Sequence, residues 1–248
     1  MQEACAALQF RFNAGMQNPV IVALDVPQAD AALVLAAQLA PVVGAFKIGS
    51  ELFTSAGPDI VRKIRATGGS VFLDLKFHDI PNTVASAVRS VARVGAHMLT
   101  VHAAGGPAML SAAAEAAGET GPILLAVTVL TSMDDAQLAA TGVSGSPAVQ
   151  VETLAQMAYA NGARGLVCSA VEVANLRNRL GSKPLLVIPG IRPEGAAIGD
   201  QRRVATPGAA IAAGASYLVV GRPITRADDP GTAARSILAE MQAAMATA

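Results

Sequence analysis

Tryptophan is absent from the chain, aromatic residues make up 3% of it, and its 248 residues include only two cysteines, Cys5 and Cys168. Two cysteines cannot build a disulfide framework, and no CxxC pair is present, which fits a reducing, cytoplasmic setting. An excess of either charge is lacking as well, with 18 Lys and Arg against 18 Asp and Glu. Nothing therefore points to a basic surface following a nucleic-acid backbone or an anionic membrane. Long apolar runs are missing too: the densest, Ile123 to Leu130, falls far short of the roughly 20 residues that a spanning helix needs, and has the length of a buried strand. Residues 1–17 carry Glu3, Arg11 and several amides where a signal peptide would need a charged start and an unbroken apolar run, so residues 1–18 read as a lead-in to the first strand.

What the chain does have is aliphatic. Hydrophobic residues reach 52% and the mean hydropathy is +0.46, carried by Ala, Val, Leu and Ile. Such a composition buries a large core and excludes a disordered chain. The length of 248 residues fits one domain spanning the whole chain.

Eight short β-branched and aliphatic segments recur along the sequence. They end at Asp25, Gly49, Lys76, Ala103, Leu130, Ala170, Gly190 and Arg222, and most are apolar throughout, as parallel strands buried on both faces are. Between them lie stretches with helical spacing, among them 29–39, 83–94, 149–160 and 231–245. Gly-Ala pairs at Gly44, Gly95, Gly162 and Gly214 stand just before the next strand, where a helix C-cap glycine belongs. Eight βα units over about 250 residues predict an α/β fold of the (β/α)8 TIM-barrel class. The rival doubly wound sheet more often has five or six strands, and as a dinucleotide binder would carry GxGxxG after the first strand; ALDVPQAD stands there instead.

In such a barrel, chemistry collects at the C-terminal ends of the strands. Asp25, Lys47, Asp74, Lys76, His102, Arg192 and Arg222 crowd those ends. A charge at the end of an apolar strand is costly unless paired; any one of these residues could be a rim salt bridge, but seven together exceed what a structural rim needs. The densest group is FLDLKFHDIPNT, residues 72–83. Strand alternation puts Asp74 and Lys76 on one face, and Asp79 follows in a turn that Pro81 prevents from continuing as a strand. Two carboxylates flanking one ammonium keep it charged, an arrangement suited to an acid that delivers a proton to a developing carbanion. His78 and His102 lack metal-ligand spacing, Cys168 has no evident base partner, and GVSGS at 142–146 has Ser146 where a nucleophile elbow needs glycine.

DLKFHDIPNT, together with ALD at 23–25, FKIG at 46–49, VTVLTSM at 127–133, PGIRP at 189–193, GDQRR at 199–203 and VGRPIT at 220–225, resembles the bacterial orotidine 5'-phosphate decarboxylase family across all eight βα units. The resemblance implies a cofactor-free and metal-free decarboxylation of orotidine 5'-monophosphate to UMP in pyrimidine biosynthesis. It implies Lys76 as the proton donor, Asp74 against the substrate carboxylate, Lys47 completing the charged array and touching the ribose, and Asp25 accepting from ribose hydroxyls. Asp79 and Thr83 would reach the site of a neighbouring subunit in a homodimer. Thr131 and Ser132 would read the pyrimidine, and Gln201, Gly221 and Arg222 would grip the phosphate, with Arg192 close by. Two other readings stay open: a magnesium-dependent sugar-phosphate decarboxylase or aldolase, for which Glu51 is the nearby candidate ligand, and a phosphate-binding barrel without catalysis.

Overall fold

The structure is a computed structural model, and it describes residues 18–194 and 205–246. Eight parallel strands close on themselves in sequence order, forming a (β/α)8 barrel: β1 (Val20–Ala23), β2 (Ala45–Gly49), β3 (Ser70–Phe77), β4 (Met98–His102), β5 (Ile123–Val127), β6 (Gly165–Val167), β7 (Leu185–Ile188) and β8 (Tyr217–Val220). The last strand pairs with the first, Ile21 opposite Val219, so no edge is left open.

The strands are apolar on both faces because each face has its own core. Outward-facing residues such as Val22, Phe46, Leu73 and Leu99 pack with the helices in one large cluster. Inward-facing Ile21, Ala45, Phe72, Met98, Leu125, Val187 and Tyr217 form a second cluster inside the barrel. Burial there pushes the Tyr217 phenol up to about 12, so its hydroxyl keeps its proton at neutral pH.

The helix Pro81–Val94 shows how the sequence builds the outer layer. Pro81 occupies the first turn, where its missing N–H is not needed, and Val84, Val88 and Val91 bury one stripe against the barrel. Gly95 then ends the helix in the left-handed conformation, φ 83°, its N–H donating to Val91 and Ala92 carbonyls.

Gly162 and Gly214, expected in the same capping role, also have positive φ, but Gly44 does not. The preceding helix already ends at Leu39. Gly44 is small for another reason: a Cβ there would run into the carbonyl of Asn18, whose side-chain amide donates to Val42 O at 2.6 Å. Several strands are also shorter than their apolar runs. β5 stops at Val127, β6 at Val167 and β7 at Ile188, and apolar residues beyond these ends, such as Val129, Cys168 and Pro189, line the barrel mouth. Arg222 does not close β8: it opens a short helix, Arg222–Thr225. Of the expected N-terminal lead-in, residues 1–17 lie outside the described residues.

The interior is filled closely at Gly165 on β6. A Cβ there would stand 2.7 Å from both Leu125 Cδ2 and the Leu185 carbonyl. Gly165→Ala should therefore overpack the barrel and lower stability by about 1–3 kcal/mol, read as a lower urea midpoint with an unchanged slope.

Candidate active site

Strand alternation carries the interior up to the mouth. Ala23, Ala45, Phe72 and Met98 belong to the inner cluster, and two residues further along each strand stand Asp25, Lys47, Asp74 and Thr100. The barrel thus replaces its last aliphatic layer by charges and a hydroxyl.

These charges alternate in space. Asp25 Oδ1 lies 2.9 Å from Lys47 Nζ, which is 3.7 Å from Asp74 Oδ2, and Asp74 Oδ1 is 2.8 Å from Lys76 Nζ. The inner pair is nearly buried, with side-chain exposures of 12% for Lys47 and 13% for Asp74, whereas Lys76 and Asp25 reach 35% and 59%. The row is therefore neutralised internally and accessible at its ends.

Lys76 reaches Asp74 across a distortion of β3 rather than along a regular strand. Its φ is 51°, the one positive value for a non-glycine residue among the described residues. A left-handed lysine costs about 1–3 kcal/mol and persists only where its surroundings impose it. Pairing with β4 jumps from Leu73 opposite Leu99 to Phe77 opposite Val101, so β3 spends four residue steps where β4 spends two. Thr100 Oγ1 accepts from the Lys76 backbone N–H at 2.9 Å and donates to Asp74 Oδ1 at 2.9 Å. Sequence reasoning passes over Thr100, although a hydroxyl two residues beyond Met98, in phase with the interior, is a signal.

His102 ends β4 beside this group, its ring 5.6 Å from that of His78. Burial first, then the His78 ring and the Lys76 ammonium, hold its pKa below the ordinary value against the opposite pull of Asp74. His102 is therefore neutral at neutral pH.

Lys47, Asp74 and Lys76 wall a cavity of about 160 Å³ floored by Phe72, Val127, Val167 and Val219 and rimmed by Thr131 and Pro189. Cys168 lies just past β6, buried in the wall. A second cavity, about 630 Å³, opens on the other side of Thr131 and includes none of the four alternating charges.

The remaining expected residues are dispersed. Asp79 does not flank Lys76 within the chain: it is exposed, and its Oδ1 accepts from the Ile80 N–H at 2.7 Å. Thr83 is exposed in the first turn of the helix Pro81–Val94, and Ser132 is exposed in the turn after β5. Arg192 is buried at 8% exposure, with its Nη1 donating to Ile191 O and its backbone N–H to Ala205 O. Gly221 lies beside Asp25, and a Cβ there would stand 3.5 Å from Ala23 Cβ and 3.9 Å from Asp25 Oδ2, both ordinary contacts. Arg222 is exposed at the mouth, and Gln201 lies outside the described residues. Glu51 is exposed in the first turn of the helix Ser50–Ala56, and among the described residues no three His, Cys, Asp or Glu side chains converge as metal ligands. No helix among them is long and apolar enough to cross a membrane.

The family model described as "Orotidine 5'-phosphate decarboxylase / HUMPS family" matches residues 18–237. The orotidine 5'-phosphate decarboxylase of Halorhodospira halophila is 55% identical over 227 residues, 91% of this chain and 96% of that protein. That of Dichelobacter nodosus is 51% identical over 226 residues, 90% of this chain and 99% of that protein. The crystal structure of the orotidine 5'-phosphate decarboxylase from Lactobacillus acidophilus matches with a TM-score of 0.80 at 41% identity, covering 90% of this chain and 99% of that one. A row of alternating charges at the mouth of an eight-stranded barrel, on a chain matched from before its first strand into its last helix, makes this chain a member of the orotidine 5'-phosphate decarboxylase / HUMPS family.

Proposed function

We propose that this chain, organised as one barrel domain and working in the cytoplasm, converts orotidine 5'-monophosphate to UMP and carbon dioxide in pyrimidine biosynthesis without a cofactor, with Lys76 protonating C6. The observation that carries the reading is the Lys76 ammonium 2.8 Å from Asp74, within a row that continues to Lys47 and Asp25.

Loss of carbon dioxide from C6 of the ring leaves an electron pair in the ring plane, which the π system cannot delocalise. Catalysis must then come from fixed positive charge beside the carbon and from a proton at hand. Lys76 supplies both: its ammonium stabilises the developing charge, its proton forms the new C–H bond, and the neutral amine regains a proton from solvent. The Asp74 carboxylate lies beside the departing carboxylate, and Lys47 balances it. Asp25, the most exposed member of the row, accepts from ribose hydroxyls, and Lys47 touches the same sugar. The cavity, about 160 Å³, is well below the 300 Å³ or more of sites that enclose a drug-sized ligand, so it suits one heterocycle, with ribose and phosphate in the open mouth. Thr131 and Ser132 read the ring, and Gln201, Gly221 and Arg222 hold the phosphate, with Arg192 behind them.

Asp79 serves the site of a neighbouring subunit, joined by Thr83. Supporting this, Asp79 is exposed, its carboxylate accepts from the Ile80 N–H, the Lys76 ammonium pairs with Asp74, and Ile80 itself is an aliphatic side chain 67% exposed. An exposed isoleucine beside a charged site residue fits contact with a second copy of the chain.

Lys76→Ala should lower kcat by at least about a thousandfold, near 4 kcal/mol, while UMP binding stays within about threefold. An ultraviolet turnover assay with titration of UMP checks it; the wild type should keep its activity in chelator, and a Lys76→Ala variant within about tenfold of wild type removes Lys76 as the acid. Mixing inactive Lys76→Ala and Asp79→Ala chains should restore activity on subunit exchange, because one site of each heterodimer then carries both lesions and the other neither. Exchange without recovered turnover disproves the shared site. For the phosphate, Arg222→Ala should lower kcat/KM by at least about a hundredfold, near 2.7 kcal/mol, and narrow the preference for the nucleotide over the nucleoside. An unchanged preference places Arg222 outside the phosphate site.

A further inference from the structure

Where β3 departs from regular pairing with β4, the amide of Lys76 turns to a side chain for its acceptor. That side chain is Thr100, 0% exposed, whose Oγ1 lies 2.9 Å from the Lys76 nitrogen and 2.9 Å from Asp74 Oδ1. The direction of each bond follows from chemistry. A backbone N–H can only donate, so the hydroxyl accepts from Lys76 and its single proton goes to Asp74. Asp74 Oδ1 thus receives two donors, the Thr100 hydroxyl and the Lys76 ammonium at 2.8 Å. One buried hydroxyl therefore ties the backbone of the lysine to the carboxylate that its own ammonium contacts, closing a ring of three hydrogen bonds.

This ring explains how a lysine at φ 51° is held. The left-handed conformation is disfavoured for a residue with a Cβ, and a loop-end backbone free to relax would leave it. Capturing the Lys76 amide fixes the backbone, and capturing Asp74 Oδ1 fixes the carboxylate rotamer, so the separation of the two charged groups is set from both ends. No other residue bonds to both in this way among the described hydrogen bonds.

We propose that Thr100 is a positioning residue for the proton transfer: through the Lys76 amide and the Asp74 carboxylate, its hydroxyl holds the Lys76 ammonium at the reacting carbon. The proposal rests on the reading of Lys76 as the proton donor. A residue that sets the geometry of the chemical step but does not touch the phosphate or ribose should act on kcat and leave substrate affinity nearly unchanged.

The test compares Thr100→Val, which keeps the branched shape and loses the hydroxyl, with Thr100→Ser, which keeps the hydroxyl and loses a methyl group. Thr100→Val should lose at least about thirtyfold in kcat with KM for orotidine 5'-monophosphate within about threefold, and Thr100→Ser should stay within about fivefold of wild type in both. If Thr100→Val does not fold, Thr100→Ala against Thr100→Ser gives the comparison of a hydroxyl absent or present with the γ-methyl group missing from both, and the same split is expected. A hydroxyl-free variant with kcat within threefold of wild type overturns the proposal, as does a Ser variant impaired as much as the Ala or Val variant, or a loss that falls on KM alone. Wild-type chain and Lys76→Ala assayed alongside keep the two readings apart: an inactive wild type or an active Lys76→Ala defeats the decarboxylase reading itself, whereas failure of the Thr100 series with those controls as expected defeats only the positioning role.

Discussion

Two ammonium groups and two carboxylates occupy the mouth of a barrel whose next layer down is aliphatic, and their mutual neutralisation is the condition on which the rest of the site stands. An isolated charge there would lose its hydration with nothing in return. Set in the order Asp25, Lys47, Asp74, Lys76, each inner charge has an opposite neighbour, and the two ends of the row are the members that water, or a bound molecule, can reach. The same order grades accessibility, since the Lys47–Asp74 pair is nearly buried and the two termini are the more exposed members.

The barrel supplies this order through a period of two. Residues at alternate positions of β1, β2, β3 and β4 first fill the interior with Ala23, Ala45, Phe72 and Met98 and then present the polar layer. Core and site are therefore one pattern read at two heights. Closure of the strands into a ring, with helices packed outside, removes the freedom of any one strand to slide and so fixes the polar groups relative to one another.

Much of this was legible in the sequence, and the limits have physical causes. Apolar runs reported burial better than strand length, because residues such as Val129 and Cys168 are buried at the mouth beyond the strand ends. Gly44 and Gly95 look alike as Gly-Ala pairs, yet one avoids a carbonyl and the other relaxes a left-handed turn; composition does not separate a steric reason from a conformational one. Charges at strand ends pointed to the right residues for the row, since an ionised group in an apolar strand needs a reason. The expected flanking of Lys76 by Asp79 did not appear within the chain: Asp79 lies three residues on, past the end of β3, exposed and with its carboxylate taken up by the Ile80 N–H. Spacing could place Thr100 at the mouth, but neither the left-handed Lys76 nor the two hydrogen bonds of Thr100 could be read from it: both come from two strands falling out of step, a property of the pair and of neither segment alone.

The irregular passage of β3 also bears on how this scaffold can diversify. Loops after barrel strands are ordinarily where chain length drifts, since insertions there leave the core untouched. In the last residues of β3 that freedom is gone. One residue added or removed between Asp74 and Phe77 would hand the left-handed position to a different side chain and turn the lysine off the carboxylate face. An insertion or deletion within this stretch therefore disturbs the charge row directly, whereas changes of length in the loops between the elements leave its spacing untouched.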